Sequence, residues 1–224
     1  MTAELLSFPV NDNASVSALW DSPSGAKACF VLAHGAGAGM RHTFLESLST
    51  QLAARGIATL RYQFPYMERG SRRPDPPALC HATVRSAVAE AARRSPLPLL
   101  AGGRSFGGRM TSQAQAKEPL QGVRGLAFVG FPLHPAKQPS DERARHLLDV
   151  SVPMLFLQGT RDDLADVELL RPLAARLGNR ATLKLIDGAD HSFHVPARSG
   201  RNDAAVLDEL VADVDAWTKT ALEL

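Results

Sequence analysis

The run Gly102-Gly103-Arg104-Ser105-Phe106-Gly107-Gly108 governs how the rest of the chain is read. It has the form G-x-S-x-G, with a further glycine on either side. The pattern alone is weak evidence, because glycine and serine are both common residues. Its surroundings carry the weight. An apolar stretch at 97–102 leads in as a buried strand, and residues 106–117 follow at once as a helix. A turn between them leaves no room for side chains two residues either side of the serine. Such a turn holds Ser105 in a strained conformation and lifts its hydroxyl clear of the backbone. The N-terminus of the following helix points at the same spot and favours developing negative charge. A nucleotide-binding turn is the competing reading. The run lacks the Lys-Ser/Thr of a phosphate-cradling loop and the spacing of a dinucleotide fingerprint.

Outward from this turn, strands and helices alternate. Residues 28–33 form a short continuous apolar run, as a strand covered on both faces requires. Residues 42–55 have helical spacing (Phe44, Leu45, Leu48, Leu52) and stop at Gly56. Further strands are predicted over 57–61, 124–130, 153–158 and 181–186, and further helices over 76–94, 166–177 and 203–222. Residues 5–10 and 15–20 read as a hairpin around Asn11-Asp12-Asn13-Ala14. Residues 62–77, with four prolines, read as an irregular loop, and 131–150 as a second insertion with a short helix over 141–150. The alternation predicts an α/β class protein: one domain over 1–224, a mostly parallel sheet of about eight strands, and helices on both faces. Right-handed crossovers then place the strand ends, and any site, along one edge.

Composition excludes little and suggests no unusual partner. Lys and Arg number 25 against 23 acids, scattered without a basic block, so nucleic acid is not an expected partner. The two cysteines, Cys29 and Cys80, make neither a disulfide framework nor a metal site: Cys29 reads as a buried strand residue and Cys80 as a helix residue. The first ten residues lack the charged start and long apolar stretch of a signal peptide, and no window approaches a membrane span. A reducing cytoplasm is the expected compartment.

A serine hydroxyl becomes a useful nucleophile only when a base takes its proton, so a histidine and an orienting acid must accompany it. Downstream, Leu155-Phe156-Leu157-Gln158-Gly159-Thr160-Arg161-Asp162-Asp163 gives a strand end followed by acids. Asp162 is the preferred acid, Asp163 the alternative, and Asp166 reads as a helix N-cap. The base follows the next strand in Gly188-Ala189-Asp190-His191-Ser192-Phe193-His194, where His191 is preferred and His194 competes. An oxyanion formed on acyl attack needs backbone donors. Phe106, directly after the nucleophile, supplies one; Ala36, in the glycine-rich loop His34-Gly35-Ala36-Gly37-Ala38-Gly39, supplies the other. Gly35 and Arg104 are the candidate substrate-binding residues, and His34 reads as a loop brace that hydrogen-bonds backbone.

Taken together, H-G-A-G-A-G-M, G-G-R-S-F-G-G-R, L-Q-G-T-R-D and D-H-S-F resemble the small α/β-hydrolases related to dienelactone hydrolase. Within them the chain looks closest to the subgroup of testis-expressed and chromatin-complex-associated hydrolase-like proteins. The resemblance covers nearly the whole chain. It implies the α/β-hydrolase fold without a large lid, Ser105, Asp162 and His191 at the triad positions, and Ala36 and Phe106 at the oxyanion hole. Dienelactone hydrolases proper carry Cys as nucleophile, whereas this chain has Ser105.

The reading that follows is a serine hydrolase acting on a small ester or thioester, without cofactor or metal. Residues 62–77 and 131–150 would set substrate choice at a fairly open site. Arg104 beside the nucleophile and Arg161 beside the acid are candidates to hold an anionic substrate group, with structural ion pairs as the simpler role. A non-catalytic hydrolase-fold interaction protein and a cofactor-free perhydrolase are the alternatives.

Overall fold

The computed structural model describes residues 3–223. Its eight strands are β1 (Glu4–Asn11), β2 (Ala14–Asp21), β3 (Ala28–Ala33), β4 (Ile57–Tyr62), β5 (Leu99–Arg104), β6 (Val123–Val129), β7 (Met154–Gly159) and β8 (Ala181–Ile186). They form one sheet in the order β1-β2-β4-β3-β5-β6-β7-β8. The two pairings β1–β2 and β2–β4 are antiparallel, and every pairing from β4 through β8 is parallel. The helices are α1 (Thr43–Ala53), α2 (Pro65–Glu68), α3 (Pro77–Arg94), α4 (Phe106–Lys117), α5 (Val167–Leu177) and α6 (Asp203–Leu222). This is the α/β-hydrolase arrangement that the motifs imply, and among the described residues no long lid covers the strand ends.

Both faces of the sheet are buried, and the period-two geometry of a strand divides its side chains between them. In β3, Cys29, Val31 and Ala33 pack towards α3, α4 and α5, whereas Ala28, Phe30 and Leu32 pack towards α1 and α6. Strand order reverses at the β3–β5 boundary: the chain leaves β3 through α1 towards β4, and leaves β5 through α4 towards β6. The loops after β3 and β5 therefore open side by side, the usual place for a site in an open α/β sheet. Among the described residues, no helix is long and apolar enough to cross a membrane.

The structure refines several predicted boundaries. The strand expected over 97–102 runs instead from Leu99 to Arg104. Pro96 and Pro98 cannot donate to a ladder, so pairing starts after them, and β6 carries it on to Arg104 opposite Val129. The helix expected over 42–55 begins at Thr43, because His42 is its N-cap, with Nδ1 accepting from the Phe44 amide at 3.2 Å. The 62–77 loop contains the four-residue helix α2, with Pro65 at its first position, and the 141–150 helix is 3₁₀ over Glu142–Asp149. Cys29 and Cys80 are buried and free, in a strand and a helix as read.

An aromatic cluster under the strand ends makes one strong demand on stability. Phe156 of β7 is fully buried, with ring centroids 4.9 Å from Phe128 and 6.0 Å from Phe131. Phe156→Ala is expected to cost about 3–5 kcal/mol, read as a lower urea midpoint at an unchanged slope; a loss under about 1 kcal/mol would show that the cluster collapses freely around the cavity.

Candidate active site

Ser105 sits between β5 and α4 with φ 48° and ψ −115°, a conformation that L-residues avoid unless their surroundings impose it. The surroundings here are backbone. A Cβ added at Gly103 (φ +153°) would lie 2.3 Å from the Ala33 carbonyl oxygen, and one at Gly107 2.5 Å from that of His34. The motif glycines are needed because the turn is pressed against the end of β3. The Ser105 amide donates to the Val129 carbonyl at 3.1 Å, tying the turn to β6 as well.

From this turn the hydroxyl meets an imidazole. His191 Nε2 lies 2.9 Å from Ser105 Oγ, and His191 Nδ1 lies 2.7 Å from Asp162 Oδ2. A carboxylate can only accept, so Nδ1 carries the ring proton and Nε2 presents its lone pair to the hydroxyl. The Asp162 side chain is fully buried. Its two oxygens are satisfied by three donors: His191 Nδ1 and Gln158 Nε2 on Oδ2, and the Leu164 amide on Oδ1 at 2.8 Å. That set of donors is what allows a carboxylate to be buried.

The structure separates the competing candidates. Asp163 is exposed, and Asp166 caps α5 by accepting from the Glu168 amide at 2.9 Å. His194 is an exposed residue paired with Asp203 at the start of α6. His34 is a loop brace, as read: fully buried, its Nδ1 donates to the Gly35 carbonyl at 2.7 Å while Nε2 accepts from the Phe64 amide at 3.1 Å. Gly35 lies against the nucleophile, within 3.9 Å of the Ser105 Cβ for an added methyl. Among the described residues neither the Ala36 nor the Phe106 amide donates to a protein acceptor, so both remain available to a ligand.

Two expectations need correction. Among the described residues, neither Arg104 nor Arg161 makes an ion pair. Arg161 is exposed; Arg104 turns its Nη2 to the His191 carbonyl at 3.3 Å and lays its guanidinium 4.7 Å from the Phe44 ring centre. Sequence reasoning also passed over Gln158. Its signal was a polar side chain closing the apolar run Met154–Gly159, a position that burial makes costly without a partner.

Two clefts adjoin these residues. One of about 480 Å³ is lined by His42, Phe44, Ser47, Arg104, Phe193 and Leu207. The other, of about 640 Å³, is lined by His134, Lys137, Thr160, Arg161, Asp163 and Glu168. Both insertions reach this edge. Tyr66 Oη accepts from the Gly37 amide at 3.2 Å, and Lys137 and Pro139 line the larger cleft.

The family model of the alpha/beta hydrolase domain matches residues 26–219. The chain belongs to that family. Among solved structures the chain is similar to a dienelactone hydrolase from Anabaena variabilis, with 19 % identity, a TM-score of 0.75 and 97 % of each chain covered. It is also similar to a lidless α/β serine hydrolase from Xanthomonas campestris, at 18 % identity and a TM-score of 0.75, covering 96 % of this chain and 95 % of that one. The esterase domain of a Rhodothermus marinus protein gives 18 % identity and a TM-score of 0.70, over 96 % and 99 % of the two chains. At these identities the likeness is one of fold, and the neighbourhood is that of dienelactone-hydrolase-like enzymes.

The burial of two histidines, His34 and His146, predicts that the fold loses stability in acid. Burial pulls His34 down to about 4 from 6.5, and burial, with Arg109 and His81 nearby, does the same to His146, whose Nε2 meets Ser112 Oγ at 2.8 Å. Both are neutral when folded, so unfolding takes up protons below 6.5; their stabilisation is complete above that pH and fades as pH falls towards 4. The urea midpoint is expected to drop over this interval, and less steeply in His146→Gln, which has nothing to protonate. Parallel curves for the two proteins would contradict the assignment.

Proposed function

We propose that the chain is a serine hydrolase that cleaves small carboxylic esters or thioesters through an acyl-enzyme on Ser105. One observation carries the reading: Ser105, His191 and Asp162 are joined end to end by hydrogen bonds of 2.9 and 2.7 Å at a strained turn. His191 Nε2 takes the hydroxyl proton as Oγ bonds to the substrate carbonyl carbon, and Asp162 steadies the imidazolium. The amides of Ala36 and Phe106 hold the oxyanion, with Gly35 against the nucleophile to admit the acyl group. The bond to the leaving oxygen or sulfur then breaks, and His191 returns its proton to that atom. Water, deprotonated by the same imidazole, attacks the acyl carbon; the bond from that carbon to Oγ breaks, His191 returns the proton to Oγ, and the acid leaves. No step calls for a cofactor.

The absence of a long lid supports small, flexible substrates over buried lipids, with residues 62–77 and 131–150 shaping the two clefts. The four motifs support a kinship with the testis-expressed and chromatin-complex-associated subgroup, the chain acting as one domain over 1–224. The balanced charge supports small-molecule partners rather than nucleic acid or an anionic membrane surface, and the two free cysteines fit a reducing cytoplasm.

A fluorophosphonate probe is expected to label the wild type and not Ser105→Ala. Against a panel of p-nitrophenyl esters, Ser105→Ala should lose kcat by roughly 10⁴–10⁶-fold and Asp162→Asn by about 10⁴-fold. A folded wild-type sample that neither labels nor turns over would instead favour a non-catalytic interaction protein.

A further inference from the structure

Arg104 directly precedes the nucleophile, yet its side chain is occupied with the histidine loop. Along β5 it lies on the same face as Leu100, which packs on the α1 and α6 side, and it emerges there beneath the loop after β8. Nη2 donates to the His191 carbonyl at 3.3 Å, and Arg104 is the only donor to that carbonyl among the described residues. The guanidinium carbon lies 4.7 Å from the centre of the Phe44 ring. That ring stacks on Phe193, two residues beyond His191, with centroids 5.9 Å apart and planes 10° from parallel.

The loop needs such support. Phe193 has φ +63°, an unfavourable backbone region for a bulky side chain. Asp190 closes the loop from within: its carboxylate accepts from the Ser192 amide at 2.7 Å and the His194 amide at 3.0 Å. Those bonds fix the loop's shape but not its distance from β5. The Arg104–Phe44–Phe193 contacts fix that distance, gripping the backbone on the carbonyl side of His191 and two residues on. Burial works against the cation in this place, and the carboxylates of Asp162 and Asp190 offset part of that cost. A planar, delocalised guanidinium can stack on a ring and donate along its edge at once, which neither ammonium nor thioether can do. Nη1 is buried without a partner, so a substrate anion would reach it only by displacing this packing.

We infer that Arg104 is a positioning residue: it ties the His191 backbone to the strand that carries Ser105, and so sets the reach of the imidazole to the hydroxyl. This rests on the proposed roles of Ser105 and His191.

The test compares the wild type with Arg104→Met, Arg104→Lys and Phe44→Leu. It reads kcat and KM on p-nitrophenyl acetate, which has no charge to be recognised. It also follows the downfield proton resonance of the His191 Nδ1–Asp162 hydrogen bond. Arg104→Met should lower kcat by about 10- to 100-fold, as a small misplacement does, with KM within about twofold. Its downfield resonance should broaden through exchange. Arg104→Lys should recover part of kcat, and Phe44→Leu, which leaves the cation but removes its platform, should move kcat and the resonance in the same direction as Arg104→Met. If Arg104→Met proves unfolded, Phe44→Leu carries the comparison. Unchanged kcat and resonance would overturn the inference, and so would a rise in KM alone, which is the mark of substrate binding. Should the wild type fail to turn over any ester, the proposed function falls while the resonance still decides whether Arg104 holds the loop.

Discussion

The turn that carries Ser105 is pressed against the ends of β3 and β6, and the rest of the site takes its position from that contact. Backbone touches backbone: the Ser105 amide bonds the Val129 carbonyl at 3.1 Å, and any Cβ at Gly103 or Gly107 would fall within 2.5 Å of a carbonyl oxygen of the β3 end. The close approach forces Ser105 to φ 48° and sends its hydroxyl away from the sheet. It also sets the start of α4, where, among the described residues, the Phe106 amide donates to no protein acceptor. Strain in the backbone here is sustained by a sheet buried on both faces, which a single residue cannot shift.

On the other side of the hydroxyl the controlling term is electrostatic. Asp162 is a fully buried carboxylate, tolerable only because His191, Gln158 and the Leu164 amide saturate it. That saturation makes the acid a fixed acceptor, and a fixed acceptor selects the histidine tautomer that presents a lone pair to Ser105. The histidine itself stands on a loop, the least constrained kind of support. Phe193, held in a left-handed conformation, and its stack with Phe44 convert that loop into a rigid arm. Folding and chemistry meet in these contacts, since the residues that keep the arm in place also fill the core between α1 and α6.

Much of this was legible in the chain, and the reasons are physical. A buried parallel strand must be apolar on both faces, so β3 and the first four residues of β7 announce themselves as short continuous runs, and the order of serine, acid and histidine follows from strand order. Asp162 and His191 were recoverable because each follows a strand end directly. What escaped was set by hydrogen bonding, which the hydrophobic pattern does not carry. Pro98 moved the start of β5 because a ladder needs donors, which a hydrophobic pattern does not register. Gln158 looked like the last residue of a strand, although its partner lies four residues on, in the acid loop. Arg104 offers an ion-pair role in local sequence, where nothing places it beneath a carbonyl eighty-seven positions away.

The central claim is that Ser105 forms a covalent acyl intermediate, and the most direct measurement is to trap it. Wild-type protein mixed with excess p-nitrophenyl acetate, quenched in acid within milliseconds to seconds and digested, should yield the Ser105 peptide heavier by one acetyl group. The adduct should build up and then disappear as ester is exhausted, and a Ser105→Ala sample should carry none. Acetyl found only on lysines or at the N-terminus, at equal levels in both proteins, would contradict the account.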